Sequence, residues 1–267
     1  MRVLELLGIA CFALHFLEFH LARARPLVFV LTAMATVLGF VLFGSLVLLP
    51  IWMQTLLGYS SLDAGLAMAP RGIGAFIGMP MVGLFVGRFD PRKFLATGLF
   101  IAALTLWAFS TLDLNAGYWN FFWPQFIQGF SLSLLFVPLT TVSMAAIARE
   151  RMGNATSLFN LLRNIGGSVG IAGVTTLTER FQQTHLGTLV SHVTPYNNQA
   201  TQMMQSMAQR MTPRQSYAAM FGLASRHAAI LSYVNTFRVL AVVFLALIPM
   251  ILIMRKPGEQ RAPAGPR

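Results

Sequence analysis

Asn160, Arg163, Asn164, Ser168 and Thr175 interrupt an otherwise greasy stretch at steps close to three, four and seven. On a helix such steps fall along one stripe. A polar stripe inside an apolar segment cannot comfortably face lipid, so it faces the protein interior or water. Arg163 lies roughly 13 Å along the helix from Asn154, at about 1.5 Å per residue. One reading makes the stripe the wall of a substrate cavity entered from the cytoplasm, with Gln125 and Gln128 on a neighbouring run lining the same path. The other has Arg163 snorkelling to the inner interface while the amides bond a neighbouring helix.

Arg71 raises the same question from the opposite side, one to two turns into its apolar run after Asp63. A central arginine costs roughly 2.5–3.5 kcal/mol on insertion scales, so pairing with a carboxylate or with helix carbonyls is expected. Arg71 and Asp63 read as a gate or clamp at the outer end; direct contact with a ligand is the alternative. Small residues at four-residue spacing, Gly74/Gly78, Gly83/Gly87, Gly129/Ser133 and Gly166/Gly170, are expected at helix–helix contacts. Pro80, Pro124 and Pro138 are expected to kink their helices.

The acidic residues are Glu5, Glu18, Asp63, Asp90, Asp113, Glu150, Glu179 and Glu259, and none falls in the middle of an apolar run. No convincing membrane-embedded carboxylate is therefore available for proton coupling. No phosphate-binding G-x-x-x-x-G-K-[ST] loop occurs, so the chain holds no ATP-driven pump. His15, His20, His185, His192 and His227 lack ligand spacing, and the lone Cys11 offers neither a disulfide nor a thiolate metal site. No cofactor and no metal are expected. His185 and His192 read as solvated.

The elements that position these residues follow from composition. Of 267 residues, 56% are apolar and only 10% charged, too few charges to cover a soluble fold. Seven apolar segments recur, at roughly 3–19, 27–50, 64–87, 94–112, 119–147, 155–178 and 233–254. All but the first are long enough for a helix to cross a bilayer. Barrels are disfavoured because the runs are long and do not alternate with period two. The fold class is thus all-α and polytopic. The expected organisation is a partial helix and connection over 1–26, five spans over 27–178, an outer amphipathic loop over 179–232, a last span over 233–254 and a tail over 255–267. The amino terminus lacks a clear cleavage site and reads as a retained helix.

The net charge of +11 is a topology signal rather than a nucleic-acid footprint. Alternate gaps hold Arg23 and Arg25, then Arg88, Arg92 and Lys93, then Arg149 and Arg151, then the basic tail, which places them in the cytoplasm. Trp52, Trp107, Trp119 and Trp123 fall near span ends that this orientation puts at the outer interface.

Two blocks, "LLPIWMQTLLGYSSLDAGLAMAPRGIGAFIGMPMVGLFVGRFDPRK" and "GNATSLFNLLRNIGGSVGIAGVTTLTERFQQTHLGTLVSHVTPYN", resemble the carboxy-terminal half of an EmrB/QacA-type drug:proton antiporter, a fourteen-span branch of the major facilitator superfamily. The resemblance implies a six-helix bundle, here preceded by one short extra helix. It implies export of amphipathic drug-like molecules in exchange for protons, from a bacterial inner membrane, with a periplasmic adaptor protein and an outer-membrane channel as partners in Gram-negative relatives. The hairpin is similar to the superfamily's cytoplasmic loop motif G-x-x-x-D-R-x-G-R-[KR]: Gly83, Arg88 and Arg92 match, and Gly87 stands where the aspartate would be. Asp90 is then the acid available to pair with Arg88 or Arg92. The family's amino-terminal bundle is not in this chain, and one bundle supplies one wall of a cavity built between two. A half transporter is the expectation, a non-transporting subunit or remnant the alternative. A membrane enzyme gripping lipid head groups is the weakest reading, for want of a nucleophile–base pair.

Overall fold

The computed structural model describes residue 43 and residues 46–112, 116–145, 152–194, 198–209 and 212–253. The segment expected over 3–19, most of that over 27–50 and the tail over 255–267 lie outside the described residues. Described secondary structure is helical, in chain order α1 (Leu46–Leu56), α2 (Ser61–Val86), α3 (Pro91–Phe109), α4 (Tyr118–Ala145), α5 (Met152–Ser191), α6 (Asn198–Ala208) and α7 (Pro213–Ile253). Helices are what lipid permits, since each backbone N–H and C=O must find its partner within the segment.

Local chemistry sets the helix ends. Helix α1 stops where Gly58 takes φ 72°, and the Tyr59 N–H then returns to the Met53 carbonyl at 3.1 Å. Ser60 caps α2: its Oγ accepts the Asp63 N–H at 3.1 Å and donates to Asp63 Oδ2 at 2.7 Å. Asp90 caps α3 with Pro91 at the first helical position, where a missing N–H costs nothing.

Four described helices are long and apolar enough to cross a membrane: α2, α3, the Tyr118–Thr141 part of α4, and the Pro213–Pro249 part of α7. Helix α5 is not among them, because its asparagines, arginine and hydroxyl residues dilute its apolarity. It nonetheless continues well past residue 178, to Ser191, and α7 begins at Pro213, twenty residues before its apolar run. At about 1.5 Å per residue each spans roughly 60 Å, twice the hydrocarbon thickness of about 30 Å. Segment 179–232 is therefore largely helical extension, with α6 lying against α7.

Helix α2 packs on α4, α4 on α3, α3 on α7 and α7 on α5, while α4 touches α5 lightly. Phe121, Leu135, Leu99, Leu106, Phe237 and Phe244 fill the centre, and ring contacts tie Trp52 to Phe121 and Phe109 to Phe237 at 5.5 and 5.7 Å. The α2–α4 seam is the closest. A Cβ on Gly129 would strike the Arg71 carbonyl oxygen, and one on Gly74 would strike that of Phe126. Further along, a Cβ on Gly78 would lie 2.6 Å from Ser133 Oγ, which donates to the Ala75 carbonyl at 3.0 Å. Contact partners advance together along both chains, so α2 and α4 run parallel.

Because Gly129 abuts backbone that cannot swing aside, Gly129→Ala should cost about 1–3 kcal/mol of stability. Gly72→Ala, with open space at its Cβ, should be neutral or stabilising by up to about 1 kcal/mol. Denaturant-induced loss of helicity in micelles separates the two.

Candidate functional site

The seam that brings Arg71 onto Gly129 also buries three long polar side chains. Arg71 is 6% exposed, Gln128 4% and Gln125 0%. Gln125 lies one turn before Gly129 and shares its helix face, and Gln128 is adjacent. Arg71 Nε and Nη1, and both polar atoms of the Gln125 amide, have no hydrogen-bond partner among the described residues. An unpaired buried amide or guanidinium is costly in a medium without water. Arg71, expected at a gate, is thus buried at the same helix–helix seam as Gln125 and Gln128, expected on the path.

Asp63, named with Arg71 as a gate or clamp, is not the carboxylate that Arg71 pairs with. Eight residues separate them, about 12 Å along the helix, and Asp63 is exposed and engaged with Ser60 at the helix start. Its role is to complete the cap of α2. In the hairpin, too, the carboxylate serves a helix end: Asp90 Oδ1 accepts the Arg92 backbone N–H at 3.1 Å. Gly83, Gly87 and Arg88 are exposed, and a Cβ at either glycine would meet open space. The Arg92 side chain is half-buried, with Nη2 unpartnered among the described residues.

On α5 the stripe divides. Asn160, Asn164, Ser168 and Thr175 are exposed, and the two hydroxyls satisfy themselves by bonding carbonyls four residues back. Gly166 and Gly170 are buried on the packed side, and Gly167 lies against the Phe43 ring. Arg163 sits at the edge between these sides, its guanidinium carbon 5.2 Å from the centroid of Phe136 on α4. Such a cation over a ring face is worth about 0.5–2 kcal/mol. Phe136 is about 16 Å along α4 from Gln125. The polar candidates therefore form two groups at different levels along α4, a buried one of Arg71, Gln125 and Gln128 and a bare one on α5 beside Phe136, rather than one lining.

Some polar links escaped sequence reasoning. Thr178 and Thr236 hydroxyls meet at 3.1 Å between α5 and α7, and His185 Nε2, expected in solvent, lies 2.8 Å from Asn235 Nδ2. Arg226 Nη2 donates to the Leu56 carbonyl at the end of α1, 3.0 Å away. Arg238 is exposed on α7, only five residues into its apolar run, and its position alone could have marked it. No group of three metal-ligating side chains occurs among the described residues.

Residues 11–171 match the Major Facilitator Superfamily. The chain is 30% identical over 254 residues to the fatty acid resistance protein FarB of Neisseria gonorrhoeae, covering 91% of this chain and 50% of that protein. It is 32% identical over 217 residues to the multidrug export protein EmrB of Escherichia coli K12, covering 80% and 42%. The chain thus spans about half the length of these curated relatives. In fold it is similar to a bacterial homologue of the human lysosomal transporter Spinster, in an inward-facing, occupied conformation, with a TM-score of 0.55 and 19% identity over 86% of this chain and 50% of that one.

The Asp90 geometry separates capping from charge pairing. Asp90→Asn keeps the cap and should leave thermal stability within about 0.5 kcal/mol, whereas Asp90→Ala should cost about 1 kcal/mol. Equal losses in both variants, measured by thermal unfolding, would show that charge matters instead.

Proposed function

The chain belongs to the Major Facilitator Superfamily, and from that premise we propose that it forms one bundle of a secondary transporter that exports amphipathic small molecules in exchange for protons. The observation that carries this reading is the bare polar side of α5. Asn160 and Asn164 are exposed, and Arg163 is propped at their margin by Phe136. Two amides and a guanidinium turned to hydrocarbon would be expensive. The same residues facing a water-filled cleft, closed on its far side by a second bundle, are at no such disadvantage. Apolar cargo with a polar head suits this wall: the amides bond the head, while exposed Leu161 and Ile165 on the same helix meet the rest. Relatives of the chain are named for multidrug export and for fatty acid resistance, which supports a reading of this kind.

Proton coupling is assigned to the second bundle. The described carboxylates are Asp63 and Asp90, both at helix caps, and Glu179, exposed on α5. None stands where a coupling acid must be, inside a span and able to exchange protons. The hairpin at Gly87–Lys93 is assigned to the cytoplasmic side of a bacterial inner membrane by its Arg88, Arg92 and Lys93. The long ends of α5 and α7, with α6, then stand outside, where an adaptor protein leading to an outer-membrane channel would dock.

Arg163→Ala, in the chain joined to the amino-terminal bundle of its EmrB relative, should slow export of an amphipathic dye about tenfold, as loss of a contact worth on the order of 1–2 kcal/mol requires. Arg163→Lys should retain an intermediate rate. Unchanged export at equal membrane abundance would remove Arg163 from the path. This chain by itself in liposomes should give no dye uptake driven by a pH gradient; robust uptake would locate the coupling acid here.

A further inference from the structure

Among the described residues, the cation enclosed by the α2–α4 seam has no counter-charge. Among the described residues the acids are Asp63, bound into the cap of α2, Asp90, capping α3, and exposed Glu179 on α5. None of the three has Arg71 as a hydrogen-bond partner at Nε or Nη1. A guanidinium does not shed its proton to escape burial, so the charge persists and calls for an anion.

Helix geometry places the neighbouring donors. Side chains lean toward the N-terminus of their own helix, so Arg71 reaches back from its contact at Gly129 toward the preceding turn. Because α2 and α4 run parallel, that turn is level with Gln125, about 6 Å before Gly129. Two ends that need partners therefore converge without satisfying each other, since Arg71 Nε and Nη1 and Gln125 Nε2 and Oε1 are all unpartnered. Gln128 is buried beside them.

We propose that Arg71, Gln125 and Gln128 form a subsite for the carboxylate of an amphipathic monoanion. The planar guanidinium offers two parallel N–H donors that match a carboxylate's two oxygens. Each glutamine amide adds N–H donors without adding charge, and one cation among neutral donors selects a single negative charge over the two of a phosphate monoester. The assignment deepens the transport reading and rests on it for its role in export, but the binding itself is measurable without transport.

The test is calorimetric titration of the full chain, in nanodiscs of phosphatidylcholine, with laurate, dodecanol and dodecyltrimethylammonium. Laurate should bind saturably and the other two should not displace it. Arg71→Gln should weaken laurate at least tenfold, Arg71→Lys less, and Gln125→Leu several-fold, with helicity retained throughout. Failure of the wild-type chain to bind laurate saturably, an unchanged affinity in Arg71→Gln, or equal displacement by dodecanol would overturn the subsite. So would Arg71-dependent binding of phosphatidylglycerol in place of laurate. Should Arg71→Gln not fold, Gln125→Leu decides, because it leaves the charge in place: unchanged laurate affinity there overturns the proposal. Laurate binding that needs Arg71, together with dye export that ignores it, would count against the transport reading alone.

Discussion

The backbone contact between α2 and α4 fixes the rest of this bundle. Within lipid, helices gain little from burying apolar side chains against one another, because hydrocarbon is already apolar. What remains is close packing, and close packing needs missing side chains. Gly129 beneath Arg71 and Gly74 beneath Phe126 let two helix backbones touch, and Ser133 adds a hydrogen bond to the Ala75 carbonyl. The other close glycines among the described residues meet side chains rather than backbone. Gly98, for example, presents its Cα hydrogens to Leu134 and Leu135, whose side-chain atoms stand 3.0 Å from where a Cβ would be.

That closeness has an electrostatic consequence. The seam buries Arg71, Gln125 and Gln128, and it leaves Arg71 Nε and Nη1 and both polar atoms of the Gln125 amide without partners among the described residues. Elsewhere the same fold resolves its polar groups cheaply. Most threonines and serines bond carbonyls three or four residues back, Thr178 also finds Thr236, and His185 finds Asn235. Arg92 Nη2 and Arg163 Nε are also buried without partners, but among the described residues it is the seam that leaves a guanidinium and a whole amide unsatisfied together. Helix α5 shows a second pattern, with polar atoms exposed beside buried glycines. The packed side holds the helix to its neighbours, and the polar side stays exposed.

Much was legible in residue order. Composition and the length of apolar runs require helices in a bilayer, and the four-residue spacing of Gly74 with Gly78 and of Gly129 with Ser133 marks faces suited to close approach. Helix ends went unread although their signals are local: Ser60 and Asp90 cap within a few residues of themselves, while Asp63 and Asp90 were read as a gate residue and an ion-pair partner. Less legible was the extent of α5 and α7. Their extensions beyond the apolar runs are rich in glutamine, threonine and serine, a composition as compatible with loop as with helix, and continuity with a spanning helix settles the choice.

Residue types and local spacing determined that this chain is a bundle of membrane helices, where its turns fall and which faces are smooth. Only the tertiary structure decided which polar residues share a place. Arg71 and Gln125 are more than fifty positions apart and are buried in one seam because two glycine faces interlock in one parallel register. Arg71 and Asp63 are eight apart and do not meet, because a helix carries them about 12 Å apart along its axis. Local chemistry follows sequence separation, whereas electrostatic partnership in a bundle follows helix register, and register is a property of the packed whole.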